Sequence, residues 1–300
     1  MPMDMIMSPK LSEPPAVTGG PSSSSDEQIL TDTGFYWRER NGVKALICRP
    51  LEEKGFANAF STRIGGVSPF PESDLNLAGF GEDSTENIEE NRRRFLRLFD
   101  EDYLLTTVWQ MHGDDVKTVR TLDDAANTDD RSDAVVSDLS GILAGVKTAD
   151  CVPVLLGDPE SGTFAAVHAG WRGTVESIVA KAVAKMKENF GTNPKDLVCA
   201  IGPAAACESY EIGQDVIDAF EKNFASSGKY FTPTSEGHAL IDLHLANKDQ
   251  LIATGVQAKN IFTAPFCTMK RTDLFFSYRI EKKKYGKTGR LLSVIGKMVK

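Results

Sequence analysis

Apolar residues along the chain fall into two rhythms. Short unbroken runs bounded by glycine, proline or acidic residues predict strands over 44–49, 56–61, 106–111, 116–119, 133–137, 142–146, 152–156, 163–167, 197–201, 261–264, 275–279 and 291–295. A three-and-four spacing predicts helices instead. It is clearest from 174 to about 190, where Val175, Ile178, Val179, Ala182, Val183, Met186 and Phe190 fall on one face. The DSTE of residues 83–86 resembles a capping box and starts a helix to about Phe99, with Ile88, Phe95, Leu96 and Phe99 on one side. Further helices are expected over 214–224 and 242–253. Polar, glycine-bounded or acidic stretches at 61–81, 121–133, 202–213, 225–238 and 281–290 read as loops.

Strands and helices alternate irregularly, which predicts an α/β (α+β) fold of mixed sheets with helices outside them. No linker interrupts the pattern after its start, so residues 31–300 are expected to form a single domain. Residues 1–30 are rich in Met, Pro, Ser and Gly, lack any hydrophobic period, and read as a disordered tail.

Composition narrows the function classes. With 41% hydrophobic and 25% charged residues the chain is an ordinary globular one. Its net charge of -8 argues against nucleic acid or an anionic membrane as the main partner. No apolar run approaches the roughly 18 to 20 residues of a membrane span, and the N-terminus lacks a signal-peptide pattern. Cysteines at 48, 151, 199, 207 and 267 are odd in number and scattered, which fits a reducing, cytoplasmic setting rather than a disulfide framework.

Candidate chemistry gathers in GVKTADCVPVLLGDPESGTFAAVHAGWRG, residues 145–173. Two strands joined by a turn at 158–162 would place Cys151, entering the first, beside His168, leaving the second. His112, in the turn WQMHGDD, is the natural third member. One cysteine and two histidines admit a catalytic zinc site with an open fourth position, since thiolate and imidazole suit Zn²⁺ or a copper ion. They equally admit a cysteine nucleophile with a histidine base, or a structural cysteine beside hydrogen-bonded histidines. Cys151 follows Asp150 at a strand start, and His168 precedes an open AGWRG turn, which favours a site. His238 and His244 read as structural or exposed, and Cys48, Cys199 and Cys267 as core fillers. Arg63, at a strand-to-loop junction, either faces a pocket or sits in an ordinary connector. Arg172 and the N–H groups near Gly170–Gly173 offer support for an anion.

The ordered series STRIGG, LNLAGFGED, NRRR, QMHGDDV, SDAVVS, KTADCVPVLL, AAVHAGWRGT, IGPAAACESYEIG, FFSYR and TGRLLSVI resembles one family over about residues 34–298. It is the family first labelled multicopper polyphenol oxidoreductase-type laccases. Its members have also been described as purine nucleoside phosphorylases with adenosine deaminase activity, and some as bacterial peptidoglycan editing factors. The resemblance implies a single α/β catalytic domain of layered mixed sheets with flanking helices, arranged as in a class of cysteine hydrolases. It implies a metal or catalytic set at His112, Cys151 and His168, with Arg63 as the motif arginine. Asn76, Asp150 and Arg172 join Arg63 as expected substrate-binding residues. The implied cofactor is zinc, with copper as the other option, and the implied substrates are a purine nucleoside and phosphate. The family's FSYRR becomes FSYRI here, and a basic insertion over 281–287 stretches the link to TGR, so contacts from that region depart from the pattern. The oxidase label fits poorly, because a type 1 copper centre plus a three-copper cluster needs many more histidines than the four present. Two rival functions stay open: a cysteine-type amidase editing cell-wall precursors, and a zinc-stabilised interaction protein without catalysis.

Overall fold

The computed structural model describes residues 23–70, 74–78 and 83–298. In chain order the strands are β1 (Phe35–Arg40), β2 (Val43–Cys48), β3 (Phe56–Ser61), β4 (Leu104–Thr106), β5 (Val116–Val119), β6 (Ala134–Ser137), β7 (Ile142–Thr148), β8 (Val152–Asp158), β9 (Thr163–Ala169), β10 (Val198–Ile201), β11 (Glu211–Gly213), β12 (Phe231–Ser235), β13 (His238–Ile241), β14 (Ile261–Thr263) and β15 (Leu291–Lys297). The helices are α1 (Ser23–Thr33), α2 (Arg49–Glu53), α3 (Thr85–Leu96), α4 (Leu122–Ala126), α5 (Trp171–Val175), α6 (Ile178–Phe190), α7 (Gln214–Asn223), α8 (Leu243–Ala253) and α9 (Tyr278–Tyr285).

Two six-stranded mixed sheets carry the fold, in the orders β1-β2-β3-β15-β7-β4 and β14-β10-β8-β9-β6-β5. Parallel pairs occur at β4–β7, β5–β6 and β10–β14, and the other pairs of these sheets are antiparallel. A small antiparallel sheet, β11-β13-β12, stands beside them.

The strand alternation decides the layers. In β2, Leu46 and Cys48 face the second sheet, while Val43, Ala45 and Ile47 pack with Phe95 of α3. In β9, Phe164 and Ala166 face the first sheet, while Ala165, Val167 and Ala169 pack against Ile178, Ala182 and Met186 of α6. The order is therefore helix, sheet, sheet, helix, and the expected α/β class of layered mixed sheets with flanking helices holds. It also explains why β6, β8, β9 and β10 are buried throughout. Strands covered on both faces need continuous apolar runs rather than alternating ones.

Several expectations change, among them the loops over 121–133, 202–213 and 225–238, which carry α4, β11 and β12. Residues 23–30, assigned to a disordered tail, belong to α1: Leu30 is buried in the inter-sheet core and Asp26 pairs with Arg271 at 3.0 Å. Those contacts are distant in sequence, so no local period announced them; residues 1–22 lie outside the described residues. The strand expected over 106–111 ends at Thr106, because the Gln110 carboxamide takes both the N–H and the C=O of Lys147 at 2.7 Å each. The helix expected over 174–190 is broken at Ser177, whose φ of 60° is left-handed. The strand expected over 275–279 and the loop over 281–290 give way to buried Phe275 and Phe276 followed by α9, which Ser277 caps through the Ile280 N–H. Among the described residues no helix is long and apolar enough to cross a membrane.

Candidate active site and metal centre

The β8–β9 hairpin forms as the apolar runs predicted. Pro153 pairs with His168 and Val152 with Ala169, so Cys151, one residue before β8, lies beside the end of β9. His112 arrives from the other direction, on the turn between β4 and β5, with φ at 58°. The three candidate ligand atoms lie within 4.8 Å of one another. The imidazoles of His112 and His168 meet edge to face with centroids 4.9 Å apart. His168 is buried, Cys151 half-buried and His112 exposed, so the cluster runs from the core to the surface.

Asp133, just before β6, was not singled out from the sequence, where it only opened an apolar strand. It accepts from His168 Nδ1 at 2.7 Å and from the amides of Met111, His112 and Gly113 at 3.1, 3.0 and 2.7 Å. Burial pushes the Asp133 carboxyl up, but the bond from His168 and those amides outweighs it and holds the group below its usual range. At Cys151 burial also raises the thiol, but the His168 charge and bonds from His112 and His168 bring it down to about 6. His168 shows the reciprocal effect: burial lowers it, while the Cys151 thiolate and the Asp133 bond carry it up to about 9. Without metal, the pair is a thiolate facing an imidazolium at neutral pH.

The residues fit a metal ion. One sulfur and two ring nitrogens are the donor number of a catalytic zinc site, and the same set suits copper. With Nδ1 of His168 engaged by Asp133, Nε2 remains as its ligand atom. Gly170 closes the cradle: a Cβ there would lie 3.1 Å from Cys151 Sγ and 3.4 Å from His112 Cδ2.

The cluster opens into a cavity of about 700 Å³. Its walls include Trp109, Trp171, Tyr210 and Tyr278, with cations from Arg172, Arg279, Arg290 and Lys147. Aromatic faces suit a planar base, and guanidinium groups suit an oxyanion. Of these, only Arg172 was expected from the sequence; the aromatic residues come from four separate segments, and no local spacing joins them.

Asp150 and Arg172 line this cavity. The Asp150 carboxylate is already occupied, accepting from Thr268 Oγ1 at 2.7 Å, Ser277 Oγ at 3.0 Å and the Arg279 amide at 2.7 Å. Its φ of 82° is rare outside glycine, and those bonds hold it there. Burial raises its pKa. Arg63 is not brought to the cluster. Its guanidinium is buried between Asp74 (2.7 Å) and Glu281 (2.8 Å), donates to Thr272 O at 2.8 Å, and lines a second cavity. The STRIGG turn directs it toward α9, a helix the sequence did not announce. Asn76 stands behind the wall, accepting from the amides of Ala78 and Arg290 at 3.1 and 2.9 Å. His238 is exposed and His244 bonds Gly202 O at 3.2 Å, both apart from the cluster. Cys48, Cys199 and Cys267 are buried.

A family model described as multi-copper polyphenol oxidoreductase laccase matches residues 57–298. The chain is similar to a protein named purine nucleoside phosphorylase YfiH from Escherichia coli K12, at 35% identity over 84% of this chain and 98% of the relative. A purine nucleoside phosphorylase of Bacteroides thetaiotaomicron is 34% identical over 78% of this chain and 89% of its own. Among solved structures, YlmD from Geobacillus stearothermophilus aligns with a TM-score of 0.81 at 31% identity, covering 89% of this chain and 99% of that one. The hypothetical protein YfiH of Bacillus licheniformis aligns with a TM-score of 0.80 at 28% identity, covering 87% and 98%.

Proposed function

The chain belongs to the multi-copper polyphenol oxidoreductase laccase family, and from that premise we propose that it is a purine nucleoside phosphorylase with adenosine deaminase activity, acting at His112, Cys151 and His168. The observation that carries this reading is the placement of the three donors within 4.8 Å of one another at a cavity walled by aromatic and cationic side chains. Between them the two activities need a flat aromatic base, an anion and a centre that handles charge on oxygen or nitrogen, and this cavity offers a surface for each.

Cys151 Sγ, His168 Nε2 and a His112 ring nitrogen would hold a zinc ion, which would supply Lewis-acid polarisation. The chain's own groups do the rest. Trp109, Trp171, Tyr210 and Tyr278 present faces and edges on which a purine stacks. Arg172 and Arg279 are the cations we assign to phosphate, which attacks C1′ of the ribose as the purine leaves with a proton. In deamination, water adds at C6 of adenine and ammonia leaves. Asp150, engaged by three donors, holds Ser277 and the first turn of α9 against the cavity rather than moving a proton. Arg63 acts from behind, anchoring α9 through Glu281.

One observation favours a second reading. Cys151, His168 and Asp133 form a chain of thiol, imidazole and orienting carboxylate, the order of a cysteine hydrolase. An amidase acting on cell-wall precursors would use Cys151 as its nucleophile. A product screen separates the readings. Hypoxanthine or ribose 1-phosphate from nucleoside plus phosphate supports the first, and an amino acid released from a muramyl-amino acid supports the second. Neither product, with zinc bound, leaves a zinc-stabilised interaction protein. In the first case Cys151→Ala and His168→Ala each abolish turnover while the far-ultraviolet circular dichroism stays that of the wild type.

A further inference from the structure

Asp133 is not among the residues that line the cavity, yet its carboxylate reaches both histidines of the centre. Oδ1 accepts from the His168 ring at 2.7 Å and from the His112 amide at 3.0 Å. Oδ2 accepts from the amides of Met111 at 3.1 Å and Gly113 at 2.7 Å. The backbone repeats the link, since Asp133 O accepts from the His168 amide at 2.8 Å. Four donors converge on one side chain that is 1% exposed. A carboxylate has acceptor sites for all of them, whereas an amide of the same shape offers one oxygen and turns an NH₂ toward two N–H groups.

Two consequences follow for the ligands. The proton of His168 is kept on Nδ1, so the Nε2 lone pair is the one presented to the centre. The successive amides of residues 111–113 close on the carboxylate as an anion nest, and this holds His112 in its left-handed conformation. We propose that Asp133 is the positioning residue of the metal centre, fixing the ring orientation of His168 and the turn that carries His112, two of its three ligands. The inference rests on reading His112, Cys151 and His168 as a metal site, and not on the nucleoside chemistry.

The test compares zinc affinities of wild type, Asp133→Asn and Asp158→Asn, each stripped of metal and titrated with Zn²⁺ against a chromophoric chelator. Asp158 is the control, an equally buried carboxylate at the far turn of the same hairpin, accepting from Ser161 Oγ at 2.6 Å and the Glu160 amide at 3.0 Å. Asp133→Asn is expected to bind zinc roughly 10–100-fold more weakly. Asp158→Asn keeps wild-type affinity even where its melting temperature falls. Unchanged affinity in Asp133→Asn, or an equal loss in both variants, overturns the proposal. A second measurement needs no variant: in ¹¹³Cd-loaded wild type with ¹⁵N-labelled histidine, cadmium couples to Nε2 of His168 while Nδ1 carries the proton. Coupling through Nδ1 overturns the proposal. A wild type that binds no zinc removes the metal reading and the inference together. A wild type that shows the Nε2 coupling yet turns over no nucleoside removes the proposed function and supports the inference.

Discussion

Cys151 differs from every other thiol in the chain by what surrounds it. Burial raises Cys48 to about 12, with the charges of Glu52 and Glu53 adding to it, and drives Cys199 higher still. Cys207 is exposed, but partial burial and the charges of Asp242 and Glu208 raise it. At Cys151 the histidines reverse the sign and bring the thiol to about 6. In chelator-treated protein at pH 7, iodoacetamide is therefore expected to label Cys151 ahead of Cys207, because only the thiolate reacts. The rate should fall as pH drops through about 6 and should be suppressed by stoichiometric zinc; labelling of Cys207 first, read by peptide mass spectrometry, contradicts this. Gly170 yields a second expectation at the same scale. Its φ of -69° suits any residue, so Gly170→Ala should fold normally. Its added methyl falls 3.1 Å from Cys151 Sγ, and metal binding should weaken by about 1–2 kcal/mol, the scale of an overpacked core contact. Calorimetric titration with zinc gives the number.

Among elements, the β8–β9 hairpin was legible and α9 was not, and the difference is physical. The hairpin is encoded by two apolar runs with Gly162 in the turn, where φ is 70°, so local pattern and tertiary role agree. For α9 they conflict: its residues are mostly charged, and its anchors lie far away in sequence. Glu281 is held by Arg63 at 2.8 Å and by Thr288 Oγ1, Ser277 caps the first turn, and Arg63 also stacks over Phe276 at 4.5 Å. Arg63 was legible as a motif residue, but its destination depended on an unseen helix. Removing one partner of a buried pair leaves an uncompensated charge. Arg63→Ala is expected to cost about 3–5 kcal/mol of stability, measured by urea denaturation. Because α9 also carries Tyr278 and Arg279 into the cavity, Glu281→Gln should raise KM for phosphate more than it lowers kcat; an unchanged KM would separate α9 from the site.

Across the whole molecule, most strands of the two large sheets were predictable and their order was not, while β11 and β12 of the small sheet fall in stretches read as loops. Continuous apolar runs in β6, β8, β9 and β10 imply strands covered on both faces, and hence stacked layers. That β15, near the C-terminus, inserts between β3 and β7 depends on pairings no local pattern contains. The candidate site shows the same division. Its three donors were recognisable as metal-ligating residue types, whereas Asp133, Trp171, Tyr210 and Tyr278, though they also lie in motif words, acquire their places only when the separate segments converge. A metal held there would join the β4–β5 turn to the β8–β9 hairpin, so zinc should raise the melting temperature of the whole domain in a single transition, as a ligand bound only by the folded state does. A transition that stays in place on adding zinc would argue against a site formed by the native fold.

The most direct test of the central claim is the product balance from inosine and phosphate. Wild-type protein is expected to release hypoxanthine and ribose 1-phosphate in equal amounts, and Cys151→Ala to release neither. Full turnover by Cys151→Ala, or hypoxanthine accompanied by free ribose in place of ribose 1-phosphate, would contradict the account.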